Sequence, residues 1–341
     1  MKGLNVISVA FTIVGAFIGA GFVSGQELWQ FFGKFGAHGF IGLLVAVIAI
    51  SFLTFAIIKN GIKTKSHSFE TIITGKDSPV LKKTLIAIET VFYFSIYVIM
   101  TAGVQSLVNQ AFQINKTLIG IIFATLITVV SIMGVKWIVS VFSATVPILT
   151  VSVIVIAIVS YSKCGITLPE ATNSNLLPAL FSAVVFVSYN FIAGIGVFAS
   201  LSRQIKNTKK LAVSSVVACA FLFILGCAIL VSVFSCAGAE LSDLPMITMV
   251  TNLNGALGSV YSVLLIFAMV GASLASLFPI AEIFKKSKVK QVVSCTLISI
   301  LCVALSSFGF KELISTVYPA FGYIGFIVIA MVLSRYFKKE N

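Results

Sequence analysis

Two glycine-rich stretches inside long apolar segments are the residues of this chain best placed to do chemistry. The first runs from Gly15 to Gly21, and the second runs from Asn190 to Gly196. Glycine allows other groups to approach the backbone closely. Unwound backbone inside a bilayer is tolerated only where protein buries it or where it lines a cavity. Paired interruptions at matching places in two halves of a membrane protein therefore point to a solute site between them.

These stretches lie in a chain built almost wholly of apolar segments. Of its 341 residues, 59% are hydrophobic and 10% are charged, and its mean hydropathy is +1.13. Soluble domains carry roughly 25% charged residues, so a soluble protein is excluded. Runs of about 20 apolar residues can span a bilayer as helices. Ten such spans are predicted, at residues 4–32, 38–59, 82–111, 117–135, 138–161, 176–201, 209–236, 249–284, 290–308 and 312–335.

The distribution of basic residues predicts the orientation of the chain. With the N-terminus in the cytoplasm, 19 lysines and arginines fall on the inner side of the ten spans and four on the outer side. This bias follows the positive-inside rule, and adding or removing one span would scramble it. We therefore predict a multi-pass protein of the cell membrane, with residues 1–341 as one transmembrane domain and both termini cytoplasmic. The net charge of +13 is then a topology signal, so the expected partner is the lipid bilayer and not nucleic acid.

The ten spans divide into two sets of five, with repeat one at about 4–161 and repeat two at about 176–335. An odd number of spans in each half inverts the second half relative to the first. Spans 1 and 6 then hold equivalent positions, and these are the two spans with glycine-rich centres. The predicted fold class is an all-α integral membrane protein with ten transmembrane helices, a five-plus-five inverted repeat and discontinuous helices 1 and 6.

The run from Gly15 to Glu27, GAFIGAGFVSGQE, resembles the opening of the YkvI-like amino-acid permeases. They belong to the amino acid–polyamine–organocation superfamily, whose members share the LeuT-type five-plus-five inverted-repeat fold. Length, span count and orientation agree with that fold, so the resemblance covers the whole chain. It implies a transporter with amino acids as the substrate class.

The resemblance also assigns roles to the glycine-rich stretches. In proteins of this fold, amide groups at the break of span 1 face a substrate carboxylate, which gives this role to Gly19, Ala20 and Gly21. The carbonyls from Phe191 to Gly194 would face a substrate ammonium. The competing interpretation is close helix packing, because small residues spaced like Gly15 and Gly19 let membrane helices approach one another. Two such stretches in equivalent spans favour the substrate site.

Three polar residues in spans 3 and 6 are further candidates for the substrate site. Tyr189 and Asn190 come just before the second glycine-rich stretch, and Gln105 lies in span 3. A buried amide must find hydrogen-bond partners. Each of these side chains could therefore contact substrate or could instead satisfy unwound backbone.

A cation site is implied by position within the fold. In sodium-coupled relatives, one Na⁺ lies between carbonyls of span 1 and hydroxyls of span 8. The matching groups are the carbonyls of Gly15 and Ile18 with the hydroxyls of Ser273 and Ser276, which share one helix face. A hard cation prefers such oxygen ligands. Relatives commonly have two adjacent hydroxyl residues instead, and membrane serines often donate to the carbonyl four residues back, so Na⁺ and H⁺ coupling both stay open.

Two acidic residues, Glu27 and Glu89, lie within predicted spans and away from their ends. Carboxylates inside a membrane are functional candidates by default. Glu89 shares a helix face with Tyr93 and Tyr97, and it is either a proton carrier or a buried acid held by hydrogen bonds near the inner vestibule. Glu27 lies on the outer half of span 1, where we expect water to reach it. An outer-gate contact is therefore favoured over proton transfer for Glu27.

Other kinds of function lack their motifs in this sequence. It has no nucleophile elbow, metalloprotease motif, phosphate loop or intramembrane aspartate pair, so an enzyme is not expected. The six cysteines lack metal-type spacing, and no cofactor is expected besides a coupling Na⁺. The proton-linked metal-ion branch of the LeuT-type fold uses an acidic motif in span 1 and a methionine in span 6, and this chain has neither.

The predicted function is a secondary active transporter of a small zwitterionic or carboxylate-bearing solute, with an amino acid as the leading candidate. Spans 1, 2, 6 and 7 would rock against spans 3, 4, 8 and 9, driven by Na⁺ or H⁺. The alternative is an amino-acid-sensing membrane subunit without net transport, like the one that spore germinant receptors contain from the same superfamily. The sequence sets no oligomeric state.

Overall fold

The computed structural model describes residues 5–64, 68–74, 78–133, 136–169, 175–202, 205, 207–284 and 287–337, with the backbone alone for 136–146 and 200. These ranges are helical and contain no strand. Nine of the basic residues assigned to the inner side lie outside the described ranges: Lys2, Lys65, Lys76, Arg203, Lys206, Lys285, Lys286, Lys338 and Lys339.

The α-helices of the described ranges follow in chain order. They are α1 (Val6–Phe17), α2 (Ala20–Val23), α3 (Gln26–Phe31), α4 (Ala37–Thr64), α5 (Phe69–Thr74), α6 (Pro79–Phe112), α7 (Lys116–Met133), α8 (Lys136–Cys164), α9 (Leu177–Leu201), α10 (Thr208–Phe234), α11 (Pro245–Leu253), α12 (Gly255–Ile283), α13 (Lys288–Ser306) and α14 (Phe310–Phe337).

Nine of these helices in the described part of the chain are long and apolar enough to cross a membrane, namely α4, α6 to α10 and α12 to α14. Large apolar side chains such as Ile122, Val216 and Leu297 point outward, each more than 60% exposed. Such a surface suits lipid, because exposing it to water would carry the full hydrophobic cost. The chain is therefore a multi-pass membrane protein. The remaining predicted span, span 1, corresponds to α1, α2 and α3 together.

The predicted break in span 1 is confirmed. Helix α1 ends at Phe17, Gly19 is extended with φ −95° and ψ 172°, and the short helix α2 follows. A second interruption comes at Gly25, whose φ of +83° is a left-handed conformation that glycine adopts without strain. Met246 packs closely against Gly25, and its N–H donates to the Ser24 carbonyl. The outer end of the first span is thus joined to α11.

The predicted discontinuity of helix 6 is wrong, because α9 runs unbroken from Leu177 to Leu201. A side chain at Gly194 would collide with the ring of Phe198 one turn later, and one at Gly196 would lie 3.2 Å from Glu89 Oε1. Both glycines therefore serve close packing, the interpretation that competed with the broken helix. A glycine costs a helix only about 1 kcal/mol relative to alanine, and the packing of α9 against α4 and α14 offsets that cost.

The predicted eighth span, 249–284, begins later than expected. Asn254 leaves the helical conformation with φ −165° and ψ 120°, and its side-chain oxygen accepts from the N–H groups of Ala256 and Leu257. This N-cap starts α12 at Gly255 and leaves residues 249–253 in the separate helix α11.

The order of elements is the same in both halves. A short helix, α5 or α11, follows the second span of each half, and three long helices follow it. The division at about residues 161 and 176 and the inverted relation between the halves stay predictions.

The spanning helices pack in two groups. In the first group, α4 packs against α9 and α10, and α1 packs against α9 and α10. In the second group, α6, α7, α12 and α13 pack against one another. These groups correspond to the spans that the sequence analysis assigned to the moving bundle and the scaffold. Helix α8 contacts α10 and α12, one from each group, and α14 packs mainly on α9.

Candidate functional site

A cavity of about 260 Å³ lies at the break between α1 and α2. Its wall is formed by α1, α2, α3 and α9 from the first group, by α6 and α12 from the second group, and by α14. Nine residues that the sequence analysis selected line it: Gly15, Ile18, Gly19, Ala20, Gly21, Glu27, Tyr189, Asn190 and Ser276. Five selected residues are not in its wall: Gln105, Phe191, Gly194, Ser273 and Glu89.

The break leaves backbone groups free at the cavity wall. The Gly19 N–H donates to the Phe17 carbonyl, so the Gly15 carbonyl loses its usual helical partner. No side-chain cap satisfies the start of α2, where the first N–H groups of a helix have no acceptor within it. A side chain at Gly15 or Gly19 would meet no atom of the described residues within 4 Å. Space for a ligand therefore lies directly beside unsatisfied backbone.

Three polar side chains form what we call the outer cluster: Glu27, Tyr189 and Tyr318. The Tyr189 hydroxyl donates to Glu27 Oε1, and the rings of Tyr189 and Tyr318 stack at 4.5 Å between centroids. Glu27 is buried at 4% exposure, so the expectation that water reaches it is wrong. The ring of its partner Tyr189 packs in turn against the rings of Phe31 and Phe186, at 5.2 and 5.6 Å.

The inner end of the cavity carries a second acid–phenol pair. The Tyr93 hydroxyl, which lines the cavity, donates to Glu89 Oε1 at 2.8 Å. Glu89 itself lies one turn further in and is half-buried. Tyr97 does not join this pair, because its hydroxyl donates to the Ala124 carbonyl of α7 and contacts Ser299. Glu89 therefore reaches the cavity only through Tyr93.

The two serines of the candidate cation site differ in their surroundings. Ser276 lines the cavity, and its hydroxyl donates to the Ala272 carbonyl at 2.8 Å. Ser273 is fully buried, and its hydroxyl has no hydrogen-bond partner among the described residues. Gly15 and Ile18 line the same cavity as Ser276. Oxygen atoms of the kind that a hard cation prefers are thus present both at the end of α1 and on α12.

The other selected residues serve packing. The amide of Gln105 fills the space beside Gly120 of α7. Phe191 is fully buried, and its ring lies 6.3 Å from that of Phe198. The Phe198 ring also lies 5.3 Å from Phe17 of α1 and covers Gly194. These aromatic rings pack α9 against α1 on the inner side of the cavity.

Sequence reasoning missed Tyr318, which closes the cavity from α14. The signal that could have found it is the pair Tyr318–Pro319 inside the tenth span. A proline in a helix interior removes one backbone hydrogen bond, and a tyrosine buried in a membrane segment needs a polar partner.

Comparisons with known proteins agree with this architecture. No family model matches the chain. It is 27% identical over 340 residues to the uncharacterized membrane protein YkvI of Bacillus subtilis (strain 168), covering 96% of this chain and 95% of YkvI. The resemblance to YkvI is confirmed. The uncharacterized protein YyaD of the same organism is 24% identical over 331 residues, with 94% of each chain covered.

Solved structures of transporters share the fold. A manganese transporter from Eremococcus coleocola matches with a TM-score of 0.61 at 12% identity, covering 96% of this chain and 76% of the transporter. A Na⁺-coupled sialic acid symporter matches with a TM-score of 0.58 at 14% identity, covering 98% of this chain and 79% of the symporter. The fold is therefore of the kind that these LeuT-type transporters adopt.

Proposed function

We propose that this protein is a secondary active transporter of a small amino acid. The observation that carries the proposal is the cavity at the break of the first span, which lies between the two packing groups of helices. Its volume of about 260 Å³ is slightly below the ~300–1,000 Å³ of typical small-molecule pockets. Such a space suits a solute of amino-acid size.

The lining of the cavity matches an amino acid in chemistry. The free N–H groups at the start of α2 offer donors to a carboxylate. Apolar residues such as Ile96, Met100 and Val197 offer a surface for an aliphatic side chain. Small-molecule sites typically combine a mostly apolar wall with a few polar groups that fix orientation.

Transport would follow from relative motion of the two groups. A solute held between α1 to α3 and α9 on one side and α6 and α12 on the other contacts both groups at once. A ligand shifts a conformational equilibrium only through different affinities for the two states. A site shared between the groups provides such a difference, because its geometry changes whenever one group moves against the other.

We propose Na⁺ as the coupling ion, bound by the Gly15 and Ile18 carbonyls with the hydroxyls of Ser273 and Ser276. The buried hydroxyl of Ser273, which has no partner among the described residues, supports this proposal, because a cation would supply its missing interaction. The Na⁺-coupled symporter of the same fold also supports it. Proton coupling through Glu89 is the second candidate, favoured by the hydrogen bond that links it to Tyr93 at the cavity wall.

The test is the thermal stability of the purified protein with each of the 20 amino acids, in NaCl and in choline chloride, and with MnCl₂ as a separate ligand. A ligand at 100 times its Kd stabilises the folded state by about 2.7 kcal/mol. We expect one or more amino acids to raise the midpoint, and to raise it further in NaCl. Stabilisation by Mn²⁺ alone would contradict the proposal.

A measurement of solute flux across a membrane distinguishes a transporter from a sensor. Protein reconstituted in liposomes that contain the stabilising amino acid should accumulate the labelled amino acid by counterflow. Binding without counterflow would favour the sensor, in which the cavity detects a solute and does not carry it.

A further inference from the structure

Glu27 is the one acidic residue in the wall of the cavity among the described residues, and it has no basic partner there. The wall contains no lysine or arginine. An ionised carboxylate buried without a counter-charge costs several kcal/mol. The arrangement therefore leaves an unpaired acidic group beside the space that a solute would occupy.

The two oxygens of the Glu27 carboxylate differ in their surroundings. Oε1 accepts from the Tyr189 hydroxyl. Oε2 lies beside Gly21, where a side chain would approach it to 2.8 Å. Glycine at position 21 avoids that collision, so the carboxylate can lie against the backbone of α2. Tyr189 and Asn190 hydrogen-bond to the carboxylate and fix its orientation, and Glu27 lines the cavity.

The acceptors that the sequence predicted for a substrate ammonium are already in use. The carbonyls from Phe191 to Gly194 lie within the unbroken helix α9, where they accept helical hydrogen bonds. The hydroxyl oxygen of Ser276 and Oδ1 of Asn190 can still accept a hydrogen bond, but both are neutral, and their donors already bond to the carbonyls of Ala272 and Phe186. Glu27 is the strongest remaining acceptor in the wall, because hydrogen bonds to an ionised group are about twice as strong as neutral ones.

We infer that the carboxylate of Glu27 pairs with the ammonium group of the transported solute, so that the site selects solutes with a primary amine. This inference rests on the proposed function. It replaces the carbonyls of span 6 as the ammonium site with a charged side chain from the outer end of span 1. Recognition of the amine of the proposed amino-acid substrate is thereby assigned to one side chain.

The test compares amino acids with analogues that lack only the amine. L-Leucine is compared with 4-methylpentanoate, and L-alanine with propionate. The test variant is Glu27→Gln, and the control variant is Glu312→Gln. Glu312 is exposed in the first turn of α14, so its variant removes the same charge outside the cavity. Affinities come from the ligand concentration dependence of the thermal midpoint.

We expect Glu27→Gln to weaken binding of the amino acids by about 30-fold or more, since removing one partner of a buried charge pair costs at least about 2 kcal/mol. Binding of the analogues without an amine should not weaken, and Glu312→Gln should match the wild type with every ligand. Equal weakening for amino acids and analogues would overturn the inference, because Glu27 would then only support the shape of the cavity.

Two further results remain decisive. If Glu27→Gln does not fold, Glu27→Asp provides the comparison, because the shorter side chain withdraws the carboxylate from its place beside Gly21. In this variant, binding of L-leucine should weaken more than binding of 4-methylpentanoate. Equal weakening of both affinities would again overturn the inference. If no amino acid stabilises the folded wild type, the proposed function itself fails, and the pairing with Glu27 fails with it.

Discussion

Gly19 and Gly21 belong to one short stretch but face different surroundings. A side chain at Gly19 would extend into open cavity, whereas one at Gly21 would meet Glu27 and Tyr318. The φ and ψ of Gly19, −95° and 172°, are open to any residue. Gly19 is therefore a position where the cavity can be filled while the surrounding packing is left intact.

We predict that Gly19→Leu abolishes amino-acid binding while leaving folding intact. The leucine side chain would occupy the space next to the free N–H groups of α2, so a solute could no longer approach them. The measurement is the ligand-induced rise of the thermal midpoint, which should vanish in the variant. Its midpoint without ligand should stay close to that of the wild type.

Gly255→Leu is the matched control. Gly255 also has no neighbour within 4 Å of its side-chain position, but it lies exposed at the start of α12, outside the cavity. Binding in this variant should equal that of the wild type. Full binding by Gly19→Leu would remove the cavity from consideration as the substrate site.

At the residue scale, most of the cavity wall could be predicted from the sequence, but the burial of Glu27 and its neighbour Tyr318 could not. Gly15, Gly19 and Gly21 were found because glycine in a membrane span is a local signal. Tyr318 was missed because it lies almost 300 residues further along, and only the packing of α14 on α9 brings it to Tyr189. The burial of Glu27 was missed because the groups beside it, Tyr189 of α9 and Tyr318 of α14, come from distant helices.

Helix α9 shows why two similar stretches fold differently. In a helix, a side chain leans back over the turn that precedes it. Phe198 therefore covers Gly194, four residues earlier, and fills the place of its missing side chain. The residue four positions after Gly15 is Gly19, which can cover nothing. An aromatic residue four positions after a glycine therefore indicates close packing in span 6. The interpretation based on glycines alone did not take Phe198 into account.

We predict that Gly194→Ala lowers the thermal midpoint more than Gly196→Ala does. The added methyl group at position 194 collides with the buried ring of Phe198, and overpacking a core typically costs 1–3 kcal/mol. At position 196 the nearest atom is the end of the flexible Glu89 side chain at 3.2 Å, which can move aside. The measurement is the midpoint of each purified variant without ligand.

If α9 were broken at Gly194, the order of the two thermal midpoints would be reversed. Alanine at a position freed from Phe198 would gain up to about 1 kcal/mol of helix propensity over glycine. A midpoint for Gly194→Ala at or above that of the wild type would therefore contradict the continuous helix.

On the scale of the whole molecule, 19 of the 23 lysines and arginines lie on one side of the predicted spans, and this bias gives the predicted orientation. Cys164 is exposed at the end of α8 that the topology places outside the cell. Lys63 is exposed near the end of α4 that the topology places in the cytoplasm. The two positions therefore report opposite sides of the membrane.

We predict that a membrane-impermeant maleimide labels Cys164 in intact cells when the other five cysteines are replaced by alanine. Lys63→Cys, in a background without any native cysteine, should be labelled only after the membrane is permeabilised. Span positions could be predicted from the sequence because lipid demands long apolar runs. The opposite labelling pattern would invert the topology and place both termini outside the cell.

The continuity of α9 has a mechanical consequence. The helix touches the outer cluster through Tyr189 and the inner aromatic rings through Phe198, about 14 Å apart along its axis at 1.5 Å per residue. Without a hinge between these points, the segment is a lever. If the first group tilts against the second as proposed, Tyr189 with Glu27 at one end and Phe198 with Phe17 at the other move in opposite directions relative to α6 and α12. The two ends of the cavity would then open in turn.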